Sequence, residues 1–411
     1  MIAVEEALRI ILAGITPLGL ESIDMAGSQG RVLGEDIRAK RPNPPWDNSA
    51  MDGYALRAAD SIGASKQSPA VLKVIYDLPA GQSPKGEIKK GEAVRIMTGA
   101  PVPPGADAVI MVEDTEACGN GTVRLSKEAK NNDNIRKMGE DFKEGAVVLK
   151  KGSLIRPAEV LMLATIGAAF VFAHKRPRVA IISTGDELAD IGETPKQGQI
   201  INSNGYAIAA LVRECGAEPI NMGIARDTKE SLREKLTQAS YADCVISSGG
   251  VSVGDYDFVK DVLKDLGSEM KFWKVAMKPG KPLAFGVIKG KPAFGLPGNP
   301  ISSMVAFEEF VRPALLKMAG RESVEPAAFK ARITEDLKIK PGRKNFIRAV
   351  LKIENEGFTA TPLSGQGSGI ISTMVKSNSF IIVPADSEGY KKNDMVPVEP
   401  IDASILFKGA I

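Results

Sequence analysis

Residues 243–257 read Asp-Cys-Val-Ile-Ser-Ser-Gly-Gly-Val-Ser-Val-Gly-Asp-Tyr-Asp. The apolar run Cys244, Val245 and Ile246 has the shortness and the lack of alternation of a parallel strand buried on both faces. Two serines and two glycines end it, and Tyr256, Phe258, Val259, Val262, Leu263 and Leu266 then recur at helical spacing. Strand, glycine-rich turn and helix in that order make a place for an anion. Successive backbone N–H groups converge at the turn, and the helix dipole adds partial positive charge. Asp255 and Asp257 would repel a phosphate there unless a cation sits between them, so the stretch predicts phosphate together with Mg²⁺.

The neighbouring segments extend the pattern. Strands are predicted over 179–182, 219–224, 272–277, 283–288 and 293–296, and helices over 203–215, 229–238 and 301–318. Gly216 follows the first of these helices, where a left-handed residue would close it. This alternation is that of a doubly wound sheet, in which ligands sit beyond the carboxyl ends of the strands. Three loops fall there, at 183–188, 247–257 and 296–300. They make Gly249, Gly250, Ser252, Pro297, Gly298 and Asn299 candidate binding residues.

A chain of 411 residues is too long for one ordinary core. Residues 1–43 read as helical and then extended, ending at Pro42, Pro44 and Pro45, which cannot continue a helix. Residues 44–143 change to short β runs, at 71–76, 93–97, 108–112 and 122–125, separated by Gly, Pro and Asn. A helix returns near Pro157, so 44–143 is expected as a β-rich domain inserted into a unit formed by 1–43 and 144–176. The α/β domain occupies 177–323, and 324–411 reads as a small barrel or sandwich.

Composition narrows the chemistry. A net charge of +3 and 5% aromatic residues offer neither a basic face nor a stacking platform for nucleic acid. No apolar run reaches the eighteen residues that a membrane helix needs. Glu5 and Glu6 precede any Lys or Arg, and Val4, Leu8, Ile11, Leu12 and Ile15 form one stripe, so a helix of the fold is expected at the N-terminus rather than a signal peptide. Three distant cysteines make a disulfide framework unexpected and the cytoplasm the expected compartment. With His174 as the single histidine, no standard zinc or copper ligand set can be assembled, and Mg²⁺ on carboxylates and phosphates is the expected metal. Neither a phosphate-loop motif nor a dinucleotide fingerprint is present, and His174 has no plausible nucleophile to serve.

Several polar constellations remain. Glu187, in Thr184-Gly185-Asp186-Glu187-Leu188, follows a buried strand; the alternative is a βα turn with solvated acids. Asp227 precedes a helix with Glu230 at capping-box spacing, so it reads as a cap, a role compatible with facing a ligand. Lys274, Lys278 and Lys281 are either solvated or balance a polyanionic substrate. In the β-rich domain, residues 47–55 are polar without amphipathic period, with Asp52 among them. Thr98 and Asp141 stand in two further polar stretches.

Taken in order, these stretches resemble the MoeA-type molybdopterin molybdotransferases, the family that includes the C-terminal part of gephyrin. The resemblance rests on 47–55, Thr98-Gly99-Ala100, Pro104-Gly105-Ala106-Asp107, 183–188, 247–255, Lys278-Pro279-Gly280-Lys281-Pro282 and Leu296-Pro297-Gly298-Asn299-Pro300. It implies an elongated helical domain that dimerises, an inserted β-rich domain, a molybdopterin-binding α/β domain and a C-terminal β-barrel. It also implies a homodimer whose cleft joins the α/β domain of one subunit to the β domain of the other. The implied reaction is insertion of molybdate into adenylylated molybdopterin with Mg²⁺-dependent release of AMP, with a molybdopterin adenylyltransferase as partner. The residues implied are Glu187, Asp52, Asp141, Asp227, Lys274 and Lys278 for catalysis. Thr98, Lys281, Arg348 and Ser368 join the loop residues in binding substrate, and Glu187 and Asp257 hold the metal. The related adenylyltransferase reaction and a non-catalytic scaffold are the alternative functions.

Overall fold

The computed structural model describes residues 1–250, 262, 265, 268–355 and 357–402. Two compact units emerge, one of Met1–Glu35, Gly152–Val160 and Phe170–Ile411, the other of Asp36–Lys151 and Leu161–Ala169. The first four helices are α1 (Val4–Ala13), α2 (Pro157–Thr165), α3 (Ser203–Glu214) and α4 (Lys229–Ala239). The second unit is wider than residues 44–143, because Ile37–Arg38 pairs antiparallel with Val147–Leu149 and draws both flanks into it.

The first unit is built on a six-stranded sheet in the order Glu218–Ala225, Arg178–Thr184, Cys244–Ser248, Lys291–Leu296, Pro282–Ile288, Glu269–Lys274. The first four strands pair in parallel, and Pro282–Ile288 pairs antiparallel with both of its neighbours, Lys291–Leu296 and Glu269–Lys274. Side-chain alternation divides each strand between two cores. Val179, Ile181, Cys244 and Ile246 join Ile208, Leu211 and Val212 of α3 on one face. Ala180, Ile182 and Val245 join Leu232 and Leu236 of α4 on the other. Burial on both faces explains the unbroken apolar runs in these strands.

Three expectations need correction here. The stripe of α1 is present, but Val4, Ala7 and Ile11 bury in the same core as α3, so this helix packs on the α/β layer rather than in an elongated helical domain. Residues 272–277 do not form one strand. Glu269–Lys274 closes the α/β sheet, whereas Met277–Lys278 pairs in parallel with Lys344 and Asn345 of the C-terminal barrel. Residues 301–318 are not one regular helix either. Pro300–Ala306 and Arg312–Met318 flank a π-turn at Phe307–Val311. Pro313 explains it, since proline has no N–H for the Glu309 carbonyl and its ring would clash there.

The C-terminal residues form a barrel of Phe329–Ile333, Lys344–Glu354, Gly357–Pro362, Ser379–Val383 and Met395–Pro400, closed by pairing of the second strand with the fourth. Ile347, Ala349, Leu351, Ile381 and Val398 fill it. Phe346, Phe380 and Ile382 point the other way, into the α/β core. At this seam Glu309 is only 5% exposed. Burial and the hydrogen-bonded Glu399 beside it push its carboxyl well above the usual range.

The second unit carries an open six-stranded sheet in the order Ala108–Met111, Gly53–Leu56, Glu92–Ile96, Ala70–Leu78, Thr122–Leu125, Thr115–Cys118. All four β runs read from the sequence lie in it. Among the described residues, no helix is long and apolar enough to cross a membrane.

Candidate functional site

The loops beyond the carboxyl ends of the Arg178, Cys244 and Lys291 strands enclose a cavity of about 490 Å³. From the Arg178 strand the chain turns through α3 to the sheet's edge, while the Cys244 strand lies on its other side. Such a reversal of direction leaves a crevice between strand ends. Glu187, Asp227, Gly249, Gly250, Pro297, Gly298 and Asn299 all line it, so seven of the residues singled out in the sequence come together.

Close backbone packing holds the crevice in shape. Gly249 has φ +93°, and a Cβ there would stand 2.6 Å from the Thr184 carbonyl oxygen. Its N–H donates to the Leu296 carbonyl at 3.0 Å. Asn204, in the first turn of α3, donates through Nδ2 to Ser248 Oγ at 2.9 Å and to the Gly298 carbonyl at 2.8 Å. One side chain thereby ties two strand-end loops together.

The 185–188 turn is fixed from outside. Arg226 Nη1 donates to the carbonyls of Leu188 at 3.0 Å and Asp186 at 3.3 Å. The Asp227 N–H donates to Asp186 Oδ1 at 3.2 Å, and the Asp186 N–H returns a bond to Asp227 Oδ2 at 3.4 Å. Asp227 is therefore not the cap of α4. Thr228 is, its Oγ1 accepting from the Ser231 N–H at 3.2 Å. The Glu187 carboxylate folds back over Gly185, where any Cβ would collide with it.

Two carboxylates, Glu187 and Asp227, thus face the cavity, and no Lys or Arg is among its described lining residues. Lys274, Lys278 and Lys281 stand on the adjoining segment, whose Pro282 does border it. Arg348 is 1% exposed. Its Nη2 donates to the carbonyls of Gly365 at 3.1 Å and Gly367 at 3.2 Å, bracing the turn that carries Ser368. Burial lowers its pKa. These two bonds tie Arg348 Nη2 to the turn, while its Nε is buried with no hydrogen-bond partner among the described residues.

In the second unit, Asp52 Oδ1 accepts from the Thr98 N–H at 2.7 Å and from Thr98 Oγ1 at 2.8 Å. These two bonds hold the Asp52 carboxyl below its ordinary value. Asp141 does not join them; it accepts from Asn43 Nδ2 at 3.0 Å.

Ser252, Asp255, Asp257 and the helix expected over 256–266 lie outside the described residues, apart from positions 262 and 265. Among the described residues, no three His, Cys, Asp or Glu side chains cluster as a metal cage. Sequence reasoning missed Asn202, Asn204 and Arg226. The available signal was Asn202-Ser203-Asn204, a run of polar residues at a helix start beside a strand-end loop.

Comparison with known proteins places this architecture. Family models match in three consecutive parts: "MoeA N-terminal region (domain I and II)" at residues 2–167, "Probable molybdopterin binding domain" at 180–317, and "MoeA C-terminal region (domain IV)" at 330–401. The molybdopterin molybdenumtransferase of Haemophilus influenzae is 39% identical across 94% of this chain and 95% of its own length. That of Staphylococcus aureus strain COL is 38% identical across 97% and 95%. The crystal structure of a molybdopterin biosynthesis MoeA protein from Pyrococcus horikosii superposes with a TM-score of 0.83 at 36% identity, covering 98% of this chain and 100% of that one. With the likeness running through every part of the fold, the chain belongs to the MoeA family.

Proposed function

We propose that this chain is a molybdopterin molybdenumtransferase, inserting molybdate into adenylylated molybdopterin with Mg²⁺-dependent release of AMP. Near full-length similarity to proteins of that name supports the assignment. The observation that carries the chemistry is the cavity itself. Backbone groups of Gly249, Gly250 and Gly298 border it on one side and the carboxylates of Glu187 and Asp227 on another. Glycines let phosphoryl oxygens approach the main chain. The same acids would repel those oxygens without a cation.

Mg²⁺ fits this donor set, since it binds through one or two carboxylates, water and substrate phosphates and needs no all-protein cage. Glu187 would hold it together with Asp257. The metal would supply charge neutralisation at the phosphoanhydride. Lys274, Lys278 and Lys281 would balance the remaining charge of molybdate and pyrophosphate. Asp52 and Thr98 would complete the cleft from a second subunit. An exposed face of the Leu20–Asp24 and Phe170–His174 ladder supports a homodimer, with Phe170 68% and Phe172 49% exposed on one side of it. A molybdopterin adenylyltransferase would supply the substrate in the cytoplasm.

The test is AMP release by purified protein given Mg²⁺, molybdate and adenylylated molybdopterin. Wild type should release AMP and Glu187→Ala should not; wild-type rates in the variant would sink the role of Glu187. Mixing Asp52→Ala with Glu187→Ala subunits should restore part of the activity. No restoration despite subunit exchange would count against a shared cleft.

A further inference from the structure

The start of α3 opens on the same cavity and carries a donor that no described residue engages. Asn202 caps this twelve-residue helix, lines the cavity and is only 2% exposed. Its Oδ1 accepts from Ser183 Oγ at 2.8 Å and from the Gly205 N–H at 3.2 Å. Those bonds fix the amide's orientation, because turning it over would set the Nδ2 hydrogens against the Gly205 N–H. Nδ2 is left buried, with no hydrogen-bond partner among the described residues. A buried donor without an acceptor is rare enough to need a reason. The first-turn N–H groups at Ser203 and Asn204 also lack intrahelical acceptors, as at any helix start, and the helix dipole places positive charge there.

We infer that Asn202 Nδ2 and the first turn of α3 form an oxyanion subsite that takes a phosphoryl oxygen of the substrate's pyrophosphate. The inference rests on the function proposed above and gives the substrate a direction in the cavity. The phosphoryl group is drawn to the α3 end by neutral donors. Glu187 and Asp227, in the turns that follow the Arg178 and Glu218 strands, are left to a cation. Ile200 and Ile201 line the cavity just before the cap and offer an apolar surface to the uncharged part of the ligand. Asn204 cannot replace Asn202 as donor, since both its amide bonds are committed to Ser248 and Gly298.

Asn202→Asp separates binding from capping. Aspartate keeps both acceptor bonds and caps a helix as well as asparagine, but it replaces the donor with a negative charge. The assay is calorimetric titration of the full chain with inorganic pyrophosphate, and separately with adenylylated molybdopterin in the absence of molybdate. The variant should keep the wild-type melting temperature and bind both ligands about 10- to 100-fold more weakly, the loss typical of a hydrogen bond to a charged group. Asn202→Ser, which also caps but has a shorter reach, should weaken pyrophosphate binding in the same direction and serves if the first variant fails to fold. Unchanged pyrophosphate affinity in a folded variant would overturn the subsite, as would a wild-type protein that ignores pyrophosphate at 10 mM, roughly the limit of millimolar affinity. Asn202-dependent pyrophosphate binding in a protein that releases no AMP would instead refute the proposed reaction and leave the subsite standing.

Discussion

Glu309 should make the protein lose stability as the pH rises, and Glu309→Gln should remove that loss. Glu309 is 5% exposed in the π-turn, and its carboxyl is pushed well above its ordinary value of 4.5 by burial and by Glu399. Glu399 is raised as well, by its own burial. The pair therefore holds a shared proton. Of the other charges facing it, Lys344 is engaged by Glu5 at 3.1 Å and Glu308 by Arg312 at 2.9 Å. For an acid whose folded pKa is raised, stability is fully present below the unfolded value and is lost as pH climbs through the folded one. Each unit of elevation corresponds to about 1.4 kcal/mol lost at high pH. For a cooperative unit of roughly 150–250 residues, each kcal/mol moves the melting temperature by about 2–4 °C. Glutamine keeps a donor toward Glu399 and does not titrate. Thermal melts of wild type and variant from pH 5 to pH 9 should diverge, with the variant the more stable at the alkaline end. Parallel curves across that range would refute a shared proton at this seam.

Gly249→Ala should destabilise by about 2 kcal/mol or more, from backbone strain at φ +93° and the Thr184 carbonyl 2.6 Å from the new Cβ; urea denaturation reads it. Thr98→Val removes the 2.8 Å bond to Asp52 but keeps the 2.7 Å backbone bond. At that exposed site it should change stability by less than about 0.5 kcal/mol, yet slow AMP release about tenfold through misplacement of Asp52, with Thr98→Ser restoring the rate. Cys215, pushed up to about 12 by burial, and Cys244, pushed higher still by complete burial, should resist a thiol reagent at pH 8. The half-buried Cys118 should react, so one thiol titrates in the native protein and three in denaturant.

The strand-end loops were legible because their signals are local. An apolar run followed by glycines states both burial and a turn, and the topology of a parallel sheet brings such ends together. What stayed hidden depends on tertiary partners. The stripe on α1 announces a buried face but not that the α/β layer covers it. Asp227 and Thr228 are both good caps, and only the geometry of Asp186 decides that Asp227 turns away from the helix. Nothing local to Arg348 in the sequence announces that its Nη2 donates to the Gly365 and Gly367 carbonyls, nearly twenty residues later in the chain. Residues 272–277 fit one strand by pattern, yet Met277 and the Lys278 that follows it find their partners some seventy residues later in the chain, at Lys344 and Asn345.

That last pairing bears on inheritance. Two residues inside the α/β segment serve as a barrel strand, and Phe346, Phe380 and Ile382 of the barrel complete the α/β core. A gene split near residue 324 would hand each product a raw apolar wound and an unpaired edge. The two regions can diverge in sequence, but they have to travel through evolution as one piece.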